Sequence, residues 1–186
     1  MRIVRGTHSG RTIPAPPGSD TRPTTDVLKE SLFSVIENHL QFEGSVVLDL
    51  FAGSGQMSWE ALSRGARSAT LVDSSALVCR HLRTVAVDFG FSDSVTIVRA
   101  DALGFVKNSV RSIYGLVFVD PPYALKLCNH IASAIGVNEF LSHKTLVAYE
   151  HGDQEAMLAT PGSTSIWHKG RGGSVIDVLR YERPVA

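Results

Sequence analysis

The chain has 186 residues, 44% of them hydrophobic and 19% charged, which is ordinary for a folded protein, enough for one domain with a real core and short for two. No apolar run approaches the roughly 18–20 residues of a membrane span, no signal-peptide pattern opens the chain, and Cys79 and Cys128 lie far apart, so a reduced, cytoplasmic protein without a metal site is expected. The 18 basic and 18 acidic residues cancel, and bulk charge announces no polyanionic partner.

Local charge says more. Before Thr24 stand four arginines, Arg2, Arg5, Arg11 and Arg22, against a single acid, Asp20, in a segment rich in Gly and Pro. Such an arm is either solvated or laid against phosphate. A polar, turn-rich stretch adds little to a core, so residues 1–23 are expected as a basic extension of a domain spanning 24–186. Within it Arg2–Arg5 and Arg11–Ile13 read as a small hairpin around Gly6–Gly10, ended by Pro14, Pro16 and Pro17. Thr24 or Thr25 then caps a helix with Val27, Leu28, Leu32, Phe33, Val35, Ile36 and Leu40 at helical spacing, closed near Gly44.

From Val46 onward strands and helices alternate. Val46–Phe51 is a short, almost continuous apolar run, the pattern of a strand buried on both faces. A helix over Ser54–Arg64 follows, then a strand at Ala69–Asp73, a helix at Ser75–Phe89 and a strand at Val95–Val98. Ala102–Asn108 reads as a short helix, Leu116–Asp120 as a strand, Leu127–Ile135 as a helix and Thr145–Glu150 as a fifth strand. Ser165–His168 and Ser174–Leu179 flank the glycine-rich turn Gly170–Gly173 as a terminal hairpin. Repeated strand–helix units predict a mostly parallel, doubly wound α/β sheet with an antiparallel C-terminal hairpin and its ligand at the C-terminal ends of the strands.

Asp49-Leu50-Phe51-Ala52-Gly53-Ser54-Gly55 lies where a buried strand turns into a helix. Gly53 and Gly55 let the backbone swing sharply and a ligand approach without Cβ interference. A dinucleotide loop would carry a third glycine where Ser58 stands, which argues against a nucleotide-dependent oxidoreductase. An aspartate in the strand suits a cation better than a pyrophosphate, and S-adenosylmethionine carries an ammonium and a sulfonium. Asp73, with Ser74 beside it, ends the second strand where a carboxylate can accept from both ribose hydroxyls. Asp101 follows the third strand, placed to accept from an adenine amine beside the Ala102 backbone. Each acid alone is more often a solvated group at a strand end; together they line one sheet edge.

Asp120-Pro121-Pro122-Tyr123 closes the fourth strand. Two prolines stiffen the backbone and remove two donors, so the loop presents carbonyls in a set direction. The lone pair of an exocyclic base amine is delocalised into the ring. The Asp120 carboxylate and the Pro121 carbonyl can accept its two hydrogens and aim that lone pair at an activated methyl, while Tyr123 offers a ring for a flipped-out base. A lone Pro-Pro is commonly just a turn opening a helix; the aspartate, the aromatic and the upstream loop together carry the sharper reading.

These residues resemble the bacterial 16S ribosomal RNA guanine-N2 methyltransferases of the guanine-966 type, over nearly the whole chain. Arg2-Ile3-Val4 with Gly10-Arg11 is similar to the family's opening hairpin, and Arg22-Pro23-Thr24-Thr25-Asp26 to its link into the first helix. Leu48–Gly55 followed by Glu60-Ala61-Leu62-Ser63-Arg64-Gly65-Ala66 is similar to its loop and helix, and Asp120-Pro121-Pro122-Tyr123 completes the set. Gln56-Met57-Ser58-Trp59 departs from a more usual Ala-Leu-Gly-Leu type of sequence, and Asp73 stands where glutamate is common. The resemblance implies a Rossmann-like class I fold, S-adenosylmethionine as cofactor, and methylation of guanine N2 in the small subunit or its assembly intermediate by a monomer. Asp49, Phe51, Ala52, Gly53, Gly55, Asp73, Ser74, Asp101 and Ala102 are then the expected cofactor residues. Arg2, Arg5, Arg11, Arg22 and Thr24 are the expected RNA contacts, with Arg22-Pro23-Thr24 also able to buttress the cofactor pocket. The rivals are an adenine-N6 or cytosine-N4 DNA methyltransferase, which more often carries a separate sequence-reading domain, and a non-catalytic RNA-binding assembly protein of the same fold.

Overall fold

The short apolar runs from Val46 onward become the middle of one seven-stranded sheet. The computed structural model describes residues 1–17, 26–108, 114–137, 141–157 and 160–182. In chain order the elements are α1 (Asp26–Glu37), β1 (Val46–Leu50), α2 (Gln56–Ser63), β2 (Ser68–Asp73), α3 (Ala76–Phe89), β3 (Val95–Arg99), α4 (Ala102–Asn108), β4 (Tyr114–Val119), α5 (Cys128–Val137), β5 (Leu141–Gly152), β6 (Ser163–Arg171) and β7 (Ser174–Glu182). The strands lie in the order β3-β2-β1-β4-β5-β7-β6, parallel through β5, with β7 antiparallel to both β5 and β6. From β1 the chain winds outward through β2 and β3, then returns to lay β4 on the other side of β1. The strand order therefore reverses between β1 and β4, where open α/β sheets form a crevice.

Alternation along the central strands feeds two cores. Val47 and Phe118 face Leu28, Leu32, Phe33, Trp59 and Leu82 of α1, α2 and α3. Leu48, Leu50, Val117 and Val119 face Val106, Cys128, Ile131 and Ile135 of α4 and α5. Burial on both faces is why these strands carry near-continuous apolar sequence. Ser75 caps α3, its side chain accepting from the Val78 amide, and Gly90 ends the helix at φ 71.

Several boundaries move. α1 ends at Glu37, well short of Gly44, because Asn38 and His39 close it with turn bonds to Val35 and Ile36. β5 is twice as long as its apolar run, since Lys144–Gly152 pair with β7 in unbroken register. The opening hairpin has one bridge, Arg2 to Thr12, supported by bonds from the Ile3 amide to the Arg11 carbonyl and from the Gly10 amide to the Ile3 carbonyl.

One expectation is overturned. Residues 1–17 do contribute to the core: Ile3 and Ile13 are buried among α1 and α2 side chains. The amides of Val4 and Arg5 donate to the Glu60 carboxylate, the Thr7 amide to the Ser63 carbonyl, and Lys29 Nζ to the Arg2 carbonyl. Sequence reading counted charges and prolines there and overlooked that the isoleucines next to each bridge residue, Ile3 and Ile13, face inward. Arg22, Thr24, the expected cap at Thr24 or Thr25, and the boundary at residue 23 lie outside the described residues.

Candidate active site

A cleft of about 400 Å3 opens at the C-terminal edge of the sheet, over the reversal between β1 and β4. Asp49, Phe51, Ala52, Gly53, Asp73, Ser74, Asp101 and Ala102 line it from the β1, β2 and β3 ends, and Asp120, Pro122 and Tyr123 from the β4 end. Gly55 and Pro121 are not among the lining residues.

The β1–α2 loop takes its shape from positive φ angles at Phe51 (64°), Gly53 (52°) and Gly55 (72°). A Cβ on Gly55 would lie 2.5 Å from Trp59 Nε1, so this glycine is required by the indole behind the loop. Trp59 is wholly buried and donates to the Ser54 carbonyl at 2.8 Å, which pins the loop from within. Asp73 holds it from the other side: one oxygen accepts from the Gly53 amide at 3.1 Å, the other from the Ser75 amide at 2.8 Å. Asp101 accepts from the Gly104 amide at 2.7 Å and so caps α4. An ionised carboxylate has about four lone-pair sites, so both acids keep acceptor capacity toward the cleft.

Asp49 is 3% exposed and accepts from the Ser58 hydroxyl at 2.7 Å. Ser58 thus occupies the third-glycine position of a dinucleotide loop with a group that serves the carboxylate. Burial pushes the Asp49 carboxyl up to about 7, against the lowering effect of Ser58. The Asp120 carboxyl is likewise held well above the ordinary carboxyl range, through burial and the nearby negative charges of Glu150 and Asp49. The Tyr123 ring is partly exposed, while its hydroxyl donates to Glu150 Oε1 at 2.9 Å and shares a hydrogen with Ser174 Oγ at 2.7 Å. The stacking face is therefore held by β5 and β7, not left as a loose loop residue.

Sequence reading missed Glu150, Met1 and Pro16 and noted Gln56 only as a departure that could alter contacts near the cofactor; all four line the cleft. Glu150 ends an apolar strand at the same edge as Asp73 and Asp120, a signal that was available. Met1 and Pro16 reach the site through long-range packing, which no local pattern reveals. Gln56 lines the cleft, and its Oε1 is buried with no hydrogen-bond partner among the described residues. An orphaned acceptor of this kind is costly unless a ligand donates to it. With Asp49 alongside, this donor-hungry wall fits the ammonium end of S-adenosylmethionine, and Asp73, Ser74, Asp101 and Ala102 fit its nucleoside end.

The expected RNA arginines are placed unevenly. Arg5 pairs with Glu37 at 3.5 Å, and Arg11 donates to the Asp88 carbonyl and lies 4.4 Å over the Phe89 ring. Arg2 is exposed. No helix among the described residues is long and apolar enough to cross a membrane.

Known proteins share this architecture. Ribosomal RNA small subunit methyltransferase D of Escherichia coli strain K12 is 30% identical over 183 residues, covering 98% of this chain and 90% of that protein. The solved structure of yhhF from Escherichia coli superposes with a TM-score of 0.87 at 25% identity over 99% of both chains. An RNA methyltransferase from Salinibacter ruber in complex with S-adenosyl-L-homocysteine shares the fold at TM-score 0.64 and 15% identity, over 89% of this chain and 97% of that one. The family model described as Conserved hypothetical protein 95 matches residues 1–180. The chain belongs to that family, the one that includes ribosomal RNA small subunit methyltransferase D, and its fold is the Rossmann-like fold of S-adenosylmethionine methyltransferases.

Proposed function

We propose that the protein transfers a methyl group from S-adenosylmethionine to the exocyclic N2 of a guanine in 16S ribosomal RNA, within the small subunit or its assembly intermediate. One observation carries this reading: a single cleft joins the glycine-turned loop and its strand-end acids to Asp120, Pro122 and Tyr123. The family supplies the ribosomal RNA and the subunit.

When bound, the cofactor supplies a methyl on positively charged sulfur, an electrophile that needs no protein nucleophile. Asp49 and Gln56 hold its charged end, and Asp73, Ser74, Asp101 and Ala102 its nucleoside. Tyr123 stacks the flipped base. The Asp120 carboxylate and the Pro121 carbonyl accept the two amine hydrogens, which pulls the nitrogen toward a pyramidal shape and aims its lone pair into the cleft. As N2 gains a methyl it must lose one proton, and Asp120 is the acceptor. A carboxyl raised by burial and neighbouring charge is better matched to that task than an ordinary one. Most of the acceleration then comes from alignment of the two reactants. Arg2, Arg5, Arg11, Arg22 and Thr24 are the proposed contacts to RNA outside the cleft.

The test is methyl transfer from labelled S-adenosylmethionine to small subunits that lack the modification, followed by nucleoside analysis. N2-methylguanosine is the expected product. N6-methyladenosine or N4-methylcytidine as the labelled nucleoside would overturn the reading.

A further inference from the structure

Glu150 has no part in the methyl transfer described above, yet it lies at its centre. β4 and β5 pair in parallel with Val119 opposite Tyr149, so Asp120 and Glu150 come next on adjacent strands. Glu150 is 5% exposed, lines the same cleft as Asp120, and takes the Tyr123 hydroxyl at 2.9 Å. That bond sets its carboxylate at the edge of the ring on which the base is to stack.

The three candidate amines differ in what stands beside them. In guanine the N2 amine is flanked on its Watson–Crick side by N1–H, a donor, and on the other side by the N3 lone pair. In adenine the N6 amine is flanked by the N1 lone pair, and in cytosine the N4 amine by the N3 lone pair. A carboxylate beside the amine-binding group attracts the first arrangement and repels the other two. We propose that Glu150 is a specificity residue that accepts the N1–H of guanine next to the amine held by Asp120 and Pro121. The inference rests on the guanine-N2 reading and sharpens it. A site built to hydrogen-bond one edge rejects analogues lacking the donor far more strongly than a pocket that reads shape alone.

The test compares small-subunit RNA carrying guanosine at the target with the same RNA carrying 2-aminopurine riboside there. Both offer a 2-amine, but 2-aminopurine presents a lone pair at N1. The wild-type enzyme should prefer guanosine by about 10- to 100-fold in kcat/KM. Glu150→Gln keeps an acceptor for Tyr123 and gains an N–H that can donate to the N1 lone pair. It should lose activity on guanosine, gain on 2-aminopurine, and leave cofactor affinity unchanged. Equal use of both RNAs by the wild-type enzyme overturns the inference without any variant. An equal loss on both RNAs in Glu150→Gln likewise overturns it, since that is what a purely structural role predicts. A wild-type enzyme that labels some nucleoside other than guanosine refutes the underlying reading, and this inference with it.

Discussion

Asp49 carries a proton up to about pH 7 because burial opposes its charge more than Ser58 favours it. A cationic ligand end beside it reverses that balance, so binding should expel the proton. S-adenosylmethionine affinity should therefore tighten as pH rises toward 7 and level off above it. Calorimetry in buffers of different ionisation enthalpy should detect proton release at pH 6 and little at pH 8, and Asp49→Asn should abolish the difference. The same burial acts on the ligand-free protein with a definite sign. A carboxyl raised on folding favours the folded state when protonated, and that contribution is lost as pH climbs from its ordinary 3.8 through about 7. Asp49→Asn should accordingly melt higher than wild type at pH 8 while binding cofactor less well. Asp73 offers a second check: Asp73→Ala removes the anchor of the Gly53 amide and the proposed cofactor acceptor, and should weaken cofactor binding by about 1–3 kcal/mol in titration calorimetry. At this scale the acids at the β1, β2, β3 and β4 ends were legible, because each breaks an apolar run at one sheet edge. Gln56 was noticed only as a departure from the family, since its burial depends on how α2 sits over the cleft.

The N-terminal arm is the element that sequence described least well. The arm is clamped to α2 through Glu60, which is fully buried, accepts from the Val4 and Arg5 amides, and pairs with Lys29 at 3.5 Å and Arg64 at 2.8 Å. Removing one partner from a buried ion group strands the others. Glu60→Ala should cost about 3–5 kcal/mol in urea unfolding. Because Met1 and Pro16 also line the cleft, deletion of the arm should impair cofactor binding as well as stability. Single Arg2→Gln, Arg5→Gln and Arg11→Gln exchanges are the cleaner test of RNA contact, each lowering the salt slope of RNA binding by about one unit if it touches phosphate. Unchanged slopes would leave these side chains with their intramolecular partners alone. Where the terminal hairpin meets β5, His151 of β5 gives Nε2 to Asp177 and Nδ1 to the Gly152 carbonyl, while His168 bonds the other Asp177 oxygen. Burial alone would lower His151, but these acceptors raise it overall, and Asp177 is lowered by the two histidines despite its own burial. The raised histidine adds stability that is lost as pH rises past its elevated value, above 6.5. The lowered aspartate adds stability that is lost as pH falls below 3.8. Asp177→Asn should lower the melting temperature between those limits and flatten its fall outside them. None of this was readable from a run of alternating residues, because the partners sit on three different strands.

For the whole molecule, alternation of buried strands and helices was enough to predict a doubly wound sheet and the edge where the cleft opens. The strand order that brings β4 beside β1 then sets Asp120 against the cofactor loop, although the two are 71 residues apart from Asp49 to Asp120. That juxtaposition is the central claim, and Asp120 tests it most directly. Single-turnover transfer of labelled methyl to unmodified small subunits should be measured for wild type and Asp120→Ala at saturating cofactor, with cofactor affinity determined separately. The account predicts a rate reduced by about 100-fold or more with affinity essentially intact. Transfer by Asp120→Ala at the wild-type rate would contradict it.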